Sequence, residues 1–190
     1  SAVHMDADGQ VICRAEIPYN STAVRAVTID QAGNAWIGSW DNREMYSFSA
    51  YEIEDGWGAD GIPRCRMLQR VNVGMNPYGA AVDSRGFMWT SGISNDPVKV
   101  DTRDGTIVGR VTRRPYYTDE EGNLQRAGTQ GLYGMAIDRN DNVWYGCSSP
   151  GGGMTRIDGE THEMRVFYHG GGRTRGVAVD FNGNIWGADN

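Results

Sequence analysis

Four times in its 190 residues the chain repeats one phrase, and no other feature restricts its fold so strongly. The copies begin at Arg25 (RAVTIDQAGNAWIGSW), Tyr78 (YGAAVDSRGFMWTSGI), Tyr133 (YGMAIDRNDNVWYGCS) and Arg175 (RGVAVDFNGNIWGADN). In each, a short apolar strand ends in Asp (Asp30, Asp83, Asp138, Asp180), a turn follows, and a Trp (Trp36, Trp89, Trp144, Trp186) stands six residues on. A second phrase lies between them: a strand, an Asp (Asp6, Asp101, Asp158), a turn and a strand. Together the two phrases make a four-strand unit that recurs every 42 to 55 residues.

A four-strand repeat of that period, with Gly and Trp at fixed offsets, predicts an all-β chain built as a β-propeller. The expected divisions are a half blade over 1–17, blades over about 25–73, 78–111 and 133–168, and a half blade over 175–190. Two outcomes fit that count. Either the two halves join to close a four-blade ring, which removes exposed sheet edges, or the chain is part of a propeller of six to eight blades. The start at Ser1 and the stop just after Trp186 favour the second.

The remaining composition excludes several classes. Twenty-seven Gly, six Trp and nine Tyr suit short strands and tight turns, and helical periodicity is absent. A net charge of −6, with no basic block, argues against a nucleic-acid partner. No apolar run is long enough for a membrane-spanning helix. Cys13, Cys65 and Cys147 lie far apart with no CxxC pair, so all three are expected as buried, unbridged thiols. The Gly- and acid-rich insertion 49–61 is expected at a loop tip, and the long connection 112–130 as a lid or binding loop.

Residues that recur in every copy belong to the scaffold. The Asp that closes each inner strand is expected to accept from the backbone of its turn. Gly33, Gly86 and Gly183, with Asp141 in the third copy, supply the positive φ there. The Trp is expected on the second strand, between blades. Asp138-x-Asn140-x-Asn142 and Asp180-x-Asn182-x-Asn184 imitate the start of a calcium loop, but the Glu that completes one is missing. Along the inner strands small and bulky residues alternate, beginning with Ala26, Gly79, Gly134 and Gly176, as face-to-face sheets around a narrow axis require.

The phrases from Tyr78 and Arg175 resemble the blades of the virginiamycin B lyase (streptogramin lyase) and NHL-repeat propellers. There, a strand of the type PxGIAVD leads to DGNVWVAD or DGNIWFTE and then to Asn. Asn42, Asn95 and Asn190 stand at that Asn. The resemblance implies a propeller, and for the lyase a central site of His and Glu with magnesium. The lyase's Glu slot is filled here by Ser39, Gly92, Cys147 and Asp189, and His4, His162 and His169 fall outside it. No catalytic residue is therefore carried over.

Residues that differ between copies at one end of the axis are the candidate site. The inner strands begin with Arg25, Tyr78, Tyr133 and Arg175. The second set of loops adds Trp40, Asp41, Asn42, Asn95, Asp96, Ser148, Asp189 and Asn190. Two Arg and two Tyr there suit an anionic or sugar-like ligand. The competing expectation is that Arg25 and Arg175 pair with Asp41 and Asp189 and merely plug the axis. The function expected is an extracytoplasmic propeller that binds a small-molecule, glycan or protein ligand without chemistry of its own. The alternative is a metal-assisted lyase or lactonase of the streptogramin-lyase or gluconolactonase type, with magnesium or calcium in the axial channel.

Overall fold

A computed structural model describes residues 1–17, 23–93, 95–112, 116–118, 123–126, 131–148, 153–168 and 172–190. Its regular elements are all strands. The hairpin β1 (Ala2–Met5) and β2 (Val11–Ala15) precedes a meander of β3 (Val24–Ile29), β4 (Ala35–Ser39), β5 (Glu44–Trp57) and β6 (Pro63–Asn72). A second meander holds β7 (Gly79–Val82), β8 (Phe87–Gly92), β9 (Asn95–Asp101) and β10 (Ile107–Arg110). After a small hairpin, β11 (Tyr116–Thr118) with β12 (Leu124–Arg126), comes a third meander. It holds β13 (Leu132–Ile137), β14 (Val143–Cys147), β15 (Met154–Ile157) and β16 (Met164–Phe167). The chain closes on the pair β17 (Thr174–Val179) and β18 (Ile185–Asp189).

The repeated Asp builds one turn four times. Asp30 Oδ1 accepts from the backbone N–H of Ala32 and of Asn34, both at 2.9 Å. Asp83 accepts from Arg85 and Phe87, Asp138 from Asn140 and Asn142, and Asp180 from Asn182 and Asn184. The turn then needs a left-handed residue. Gly33, Gly86 and Gly183 have φ of 84° to 85°, and Asp141 fills the same slot at 61°. The other Asp oxygen takes the indole N–H of the Trp six residues on, at 3.0, 3.3, 2.9 and 3.2 Å in the four copies. Asp and Trp are thus one device, a link their constant spacing carried without revealing.

The first two of these Trp face the following sheet. Trp36 is buried with Met75, Met88, Val98 and Val100, and Trp89 with Val143, Tyr145 and Ile157. Burying one indole is worth at most about 4–6 kcal/mol of apolar area. Trp144 is half-buried against Phe167, and Trp186 on β18 is 63% exposed. Glycines let the inner strands approach. A Cβ on Gly79 would stand 3.2 Å from the Tyr133 carbonyl oxygen, and one on Gly134 2.2 Å from that of Arg175.

Two expectations are corrected, and the joining of the two half blades, one of two alternatives, is not formed. Cys13 and Cys65 form a disulfide, with Cα atoms 5.1 Å apart across 52 residues. Their separation in sequence hid the contact, which arises because β6 runs alongside β2 in parallel at Arg14 and Arg64. Cys147 alone stays a buried thiol. The insertion 49–61 is mostly strand: it lengthens β5 and β6, whose pairing shifts register three times and closes in a turn at Gly58 and Ile62. Alternation of Tyr51 and Ile53 with acidic residues is strand patterning that the Gly and Asp content masked. Finally, the N-terminal hairpin does not pair with β17–β18. It extends the first sheet through β6, where Arg14 meets Asp60 at 2.5 Å and Arg64 meets Glu16 at 2.8 Å. Cys13, Ala15 and Cys65 share a core there with Ile37, Tyr46 and Phe48.

Candidate functional site

Arg25, Tyr78, Tyr133 and Arg175 hold the same register position in four inner strands, each followed by Ala or Gly. Because Gly79 and Gly134 bring neighbouring backbones close, these four side chains meet in a single row, with Trp40 at one end. The Arg25 guanidinium carbon lies 5.3 Å from the Trp40 ring centre and 5.2 Å from that of Tyr78. Trp40 and Tyr78 meet edge to face at 5.7 Å. The rings of Tyr78 and Tyr133 are centred 4.1 Å apart, and the Arg175 guanidinium lies 5.5 Å from the Tyr133 centre. The row therefore reads aromatic, cation, aromatic, aromatic, cation.

Hydrogen bonds run through its middle. Arg25 donates to the Tyr78 hydroxyl at 3.3 Å, and the Tyr78 hydroxyl donates to that of Tyr133. Burial pushes the Tyr78 hydroxyl above its ordinary pKa, the Tyr133 hydroxyl adds to the shift, and Arg25 opposes it. Both effects keep Tyr78 neutral at physiological pH. Each cation–ring contact at so exposed a position contributes about 0.5–1 kcal/mol, enough to orient a guanidinium but not to neutralise it.

The expected pairing of Arg25 and Arg175 with Asp41 and Asp189 is not formed. Asp41 instead accepts from the Ala23 N–H at 3.2 Å, and Asp189 from the Thr174 hydroxyl at 2.7 Å, so both carboxylates brace strand ends. Among the described residues, neither guanidinium of the row belongs to an ion pair. The other candidates do not join the row. Asn42 donates to the Tyr46 hydroxyl at 3.3 Å, in a cluster with Glu44 and Arg70. Burial would raise Glu44, but the hydrogen bonds from Arg70 and Tyr46 bring its pKa below the ordinary value. Asn95 and Asp96 open β9, Asn95 against Gly92. Asn190 exchanges two backbone hydrogen bonds with Arg173 at 3.2 Å, and the Ser148 N–H donates to Gly131 at 2.9 Å.

Three supporting residues escaped the sequence reading. Ser91 Oγ donates to the Tyr133 carbonyl at 3.0 Å and accepts from the Gly79 N–H at 3.1 Å, so it ties two inner strands together beneath the tyrosines. Asn76 holds the Trp40 carbonyl at 2.7 Å, and Thr174 holds Asp189. Ser91 sits two residues after a repeat Trp, a place that could have been singled out. Nothing in the sequence points to Asn76. The expected lid, 112–130, lies largely outside the described residues, apart from the β11–β12 hairpin.

The residues of the row do not fit a divalent cation. Two guanidiniums repel one, the phenols are poor ligands for it, and Asp41 and Asp189 accept hydrogen bonds at strand ends. Among the described residues no three His, Cys, Asp or Glu side chains converge.

No sequence-family description and no curated protein sequence matches the chain. Solved structures do. Virginiamycin B lyase from Staphylococcus aureus aligns over 97% of this chain and 55% of its own, at a TM-score of 0.63 and 14% identity. The fold is similar to that of virginiamycin B lyase. A catalytically inactive variant of that lyase with quinupristin aligns at 0.53 and 17% identity, over 97% of this chain and 69% of its own. A protein of unknown function from Bacteroides caccae gives 0.64 at 10% identity, over 96% and 61% respectively. The chain thus spans little more than half the length of the first lyase structure and of the Bacteroides protein. With identities this low, the likeness to virginiamycin B lyase is one of fold.

Proposed function

We propose that this chain contributes blades to an extracytoplasmic propeller that binds a ligand across the starts of its inner strands, with no chemistry by the residues of this chain. One observation carries the reading: Arg25 and Arg175 are laid over aromatic rings with no carboxylate partner among the described residues. An oriented guanidinium without a counter-ion is a donor fork ready for a carboxylate, sulfate or phosphate. Trp40 and the two phenols beside it suit a small molecule, an acidic glycan or an acidic protein segment. The Cys13–Cys65 disulfide supports an oxidising location.

Titration of the protein with paired acidic and neutral oligosaccharides and small acids, followed by calorimetry, tests this. Acidic members bind, neutral counterparts do not, and Arg25→Ala weakens binding at least tenfold. Equal binding of neutral and acidic members, or indifference to Arg25→Ala, refutes it.

The second reading is a metal-assisted lyase or lactonase of streptogramin-lyase or gluconolactonase type, favoured by the fold likeness to virginiamycin B lyase. Its magnesium or calcium would need ligands other than the row. Incubation with quinupristin and magnesium separates the two. Ring-opened product by mass spectrometry overturns the non-catalytic reading, while no magnesium or calcium binding below millimolar concentration sinks the metal-assisted one.

A further inference from the structure

We infer that the ligand of this row is a linear dianion, with one anionic group for each end. The inference rests on the ligand-binding reading above. The row places two cations, neither ion-paired among the described residues, on either side of an aromatic centre. Arg25 comes from the first copy of the repeat and Arg175 from the fourth, and Tyr78 and Tyr133 of the second and third copies stand between them. Successive steps of 5.2, 4.1 and 5.5 Å lead from one guanidinium through the two rings to the other. The two cations can be no further apart than these steps laid end to end. That span is within reach of a short flexible acid with a group at each end.

The backbone spacing beneath the row is also fixed. All four residues are carried by strands or stand directly beside one, and Gly134, which admits no Cβ against the Arg175 carbonyl, sets how closely the last two strands approach. A monoanion engages one guanidinium and leaves the other solvated. A dianion of matching length makes its second contact intramolecularly, at an effective concentration in the millimolar range, so one length should be preferred over shorter and longer ones. Its middle faces the rings of Tyr78 and Tyr133, which accept a hydroxylated or aliphatic spacer but offer no cation to a third anion.

The test is calorimetry or NMR titration with α,ω-dicarboxylates of increasing length, each against the monocarboxylate of equal length. The expected result is one optimal length, binding at least 30-fold more tightly than its monoacid. Arg25→Gln and Arg175→Gln each bring that diacid down to the monoacid level, and the double variant abolishes binding. Arg103→Gln, an exposed arginine off the row and paired with Asp101, changes nothing. Both row arginines are exposed, so the variants keep the urea midpoint of the parent. Monoacids that bind through Arg25 as tightly as any diacid overturn the dianion and leave the anion reading standing. Failure of every acid to bind sinks both.

Discussion

Two of the four Asp–Trp turns share three hydrogen bonds and differ most in burial, which sets up one experiment. Asp83 is 2% exposed and accepts from Arg85 N–H at 3.0 Å, Phe87 N–H at 2.9 Å and the fully buried Trp89 indole at 3.3 Å. Asp83→Ala strands all three donors. The two backbone groups lie where water can partly reach them and cost about 1 kcal/mol each. The indole has no such access and costs about 2 kcal/mol. The total, about 4 kcal/mol, is a large share of the 5–15 kcal/mol typical of a folded domain. With a urea m-value of about 2 kcal/mol/M, the midpoint should fall by about 2 M. Asp180 makes the same three bonds and accepts a fourth from the Asn184 side chain at 2.8 Å, but on a turn and indole open to solvent. Water replaces the lost acceptor there, and Asp180→Ala should barely move the curve. The assay is urea unfolding followed by circular dichroism. Equal midpoint shifts in the two variants would refute the reasoning, because they would mean that the turn, rather than its burial, sets the cost.

Further outcomes follow from the same structure. Asn184 holds Asp180 through side chain and backbone, with the Trp186 indole adding to them, and its pKa falls to about 2. A carboxyl depressed in the fold contributes stability above its unfolded value near 3.8 and loses it as the pH falls towards 2, but on this solvent-exposed turn screening keeps the contribution small, in line with the near-silent Asp180→Ala variant. Carbon-13 NMR should find the low midpoint, and Asn184→Ala should raise it. The Cys13–Cys65 bridge closes 52 residues, so reduction should cost about 4 kcal/mol by loop entropy, read as a urea midpoint that falls with reductant. Cys147, 0% exposed, should react with a thiol reagent only on unfolding. Gly134→Ala would drive a Cβ to 2.2 Å from a backbone carbonyl and should cost about 1–3 kcal/mol, whereas Gly176→Ala, at 3.3 Å from the Ala188 methyl, should be tolerated. Thermal melts of the two variants check the difference.

What was legible in the sequence was whatever the repeat enforces. Asp30, Asp83, Asp138 and Asp180, their left-handed turn residues and their Trp partners could be read because a local interaction fixes a local spacing. Arg25, Tyr78, Tyr133 and Arg175 could be grouped because equal positions in equal units end up side by side. Interactions that cross between units escaped. The Cys13–Cys65 bridge and the attachment of β2 to β6 depend on where a lengthened hairpin ends, and no periodicity records that. The charge pairing expected for Asp41 and Asp189 failed for a similar reason: Asp41 accepts from the Ala23 N–H and Asp189 from the Thr174 hydroxyl, while the guanidiniums lie over rings of neighbouring units. Ser91 and Asn76 matter only through backbone atoms of other strands.

The Asp–Trp bond also implies an order of events in folding. It joins residues six apart, so it can close within a single hairpin, on the microsecond scale of hairpin formation, before one sheet has met another. The row of Arg25, Tyr78, Tyr133 and Arg175 is the opposite kind of contact, drawn from positions 150 residues apart and complete only when four inner strands stand together. A chain whose hairpins have formed but whose sheets have not docked would have its turns locked and no receptor at all. Ligand binding at the row would then report the last step of assembly, and the Asp turns the first.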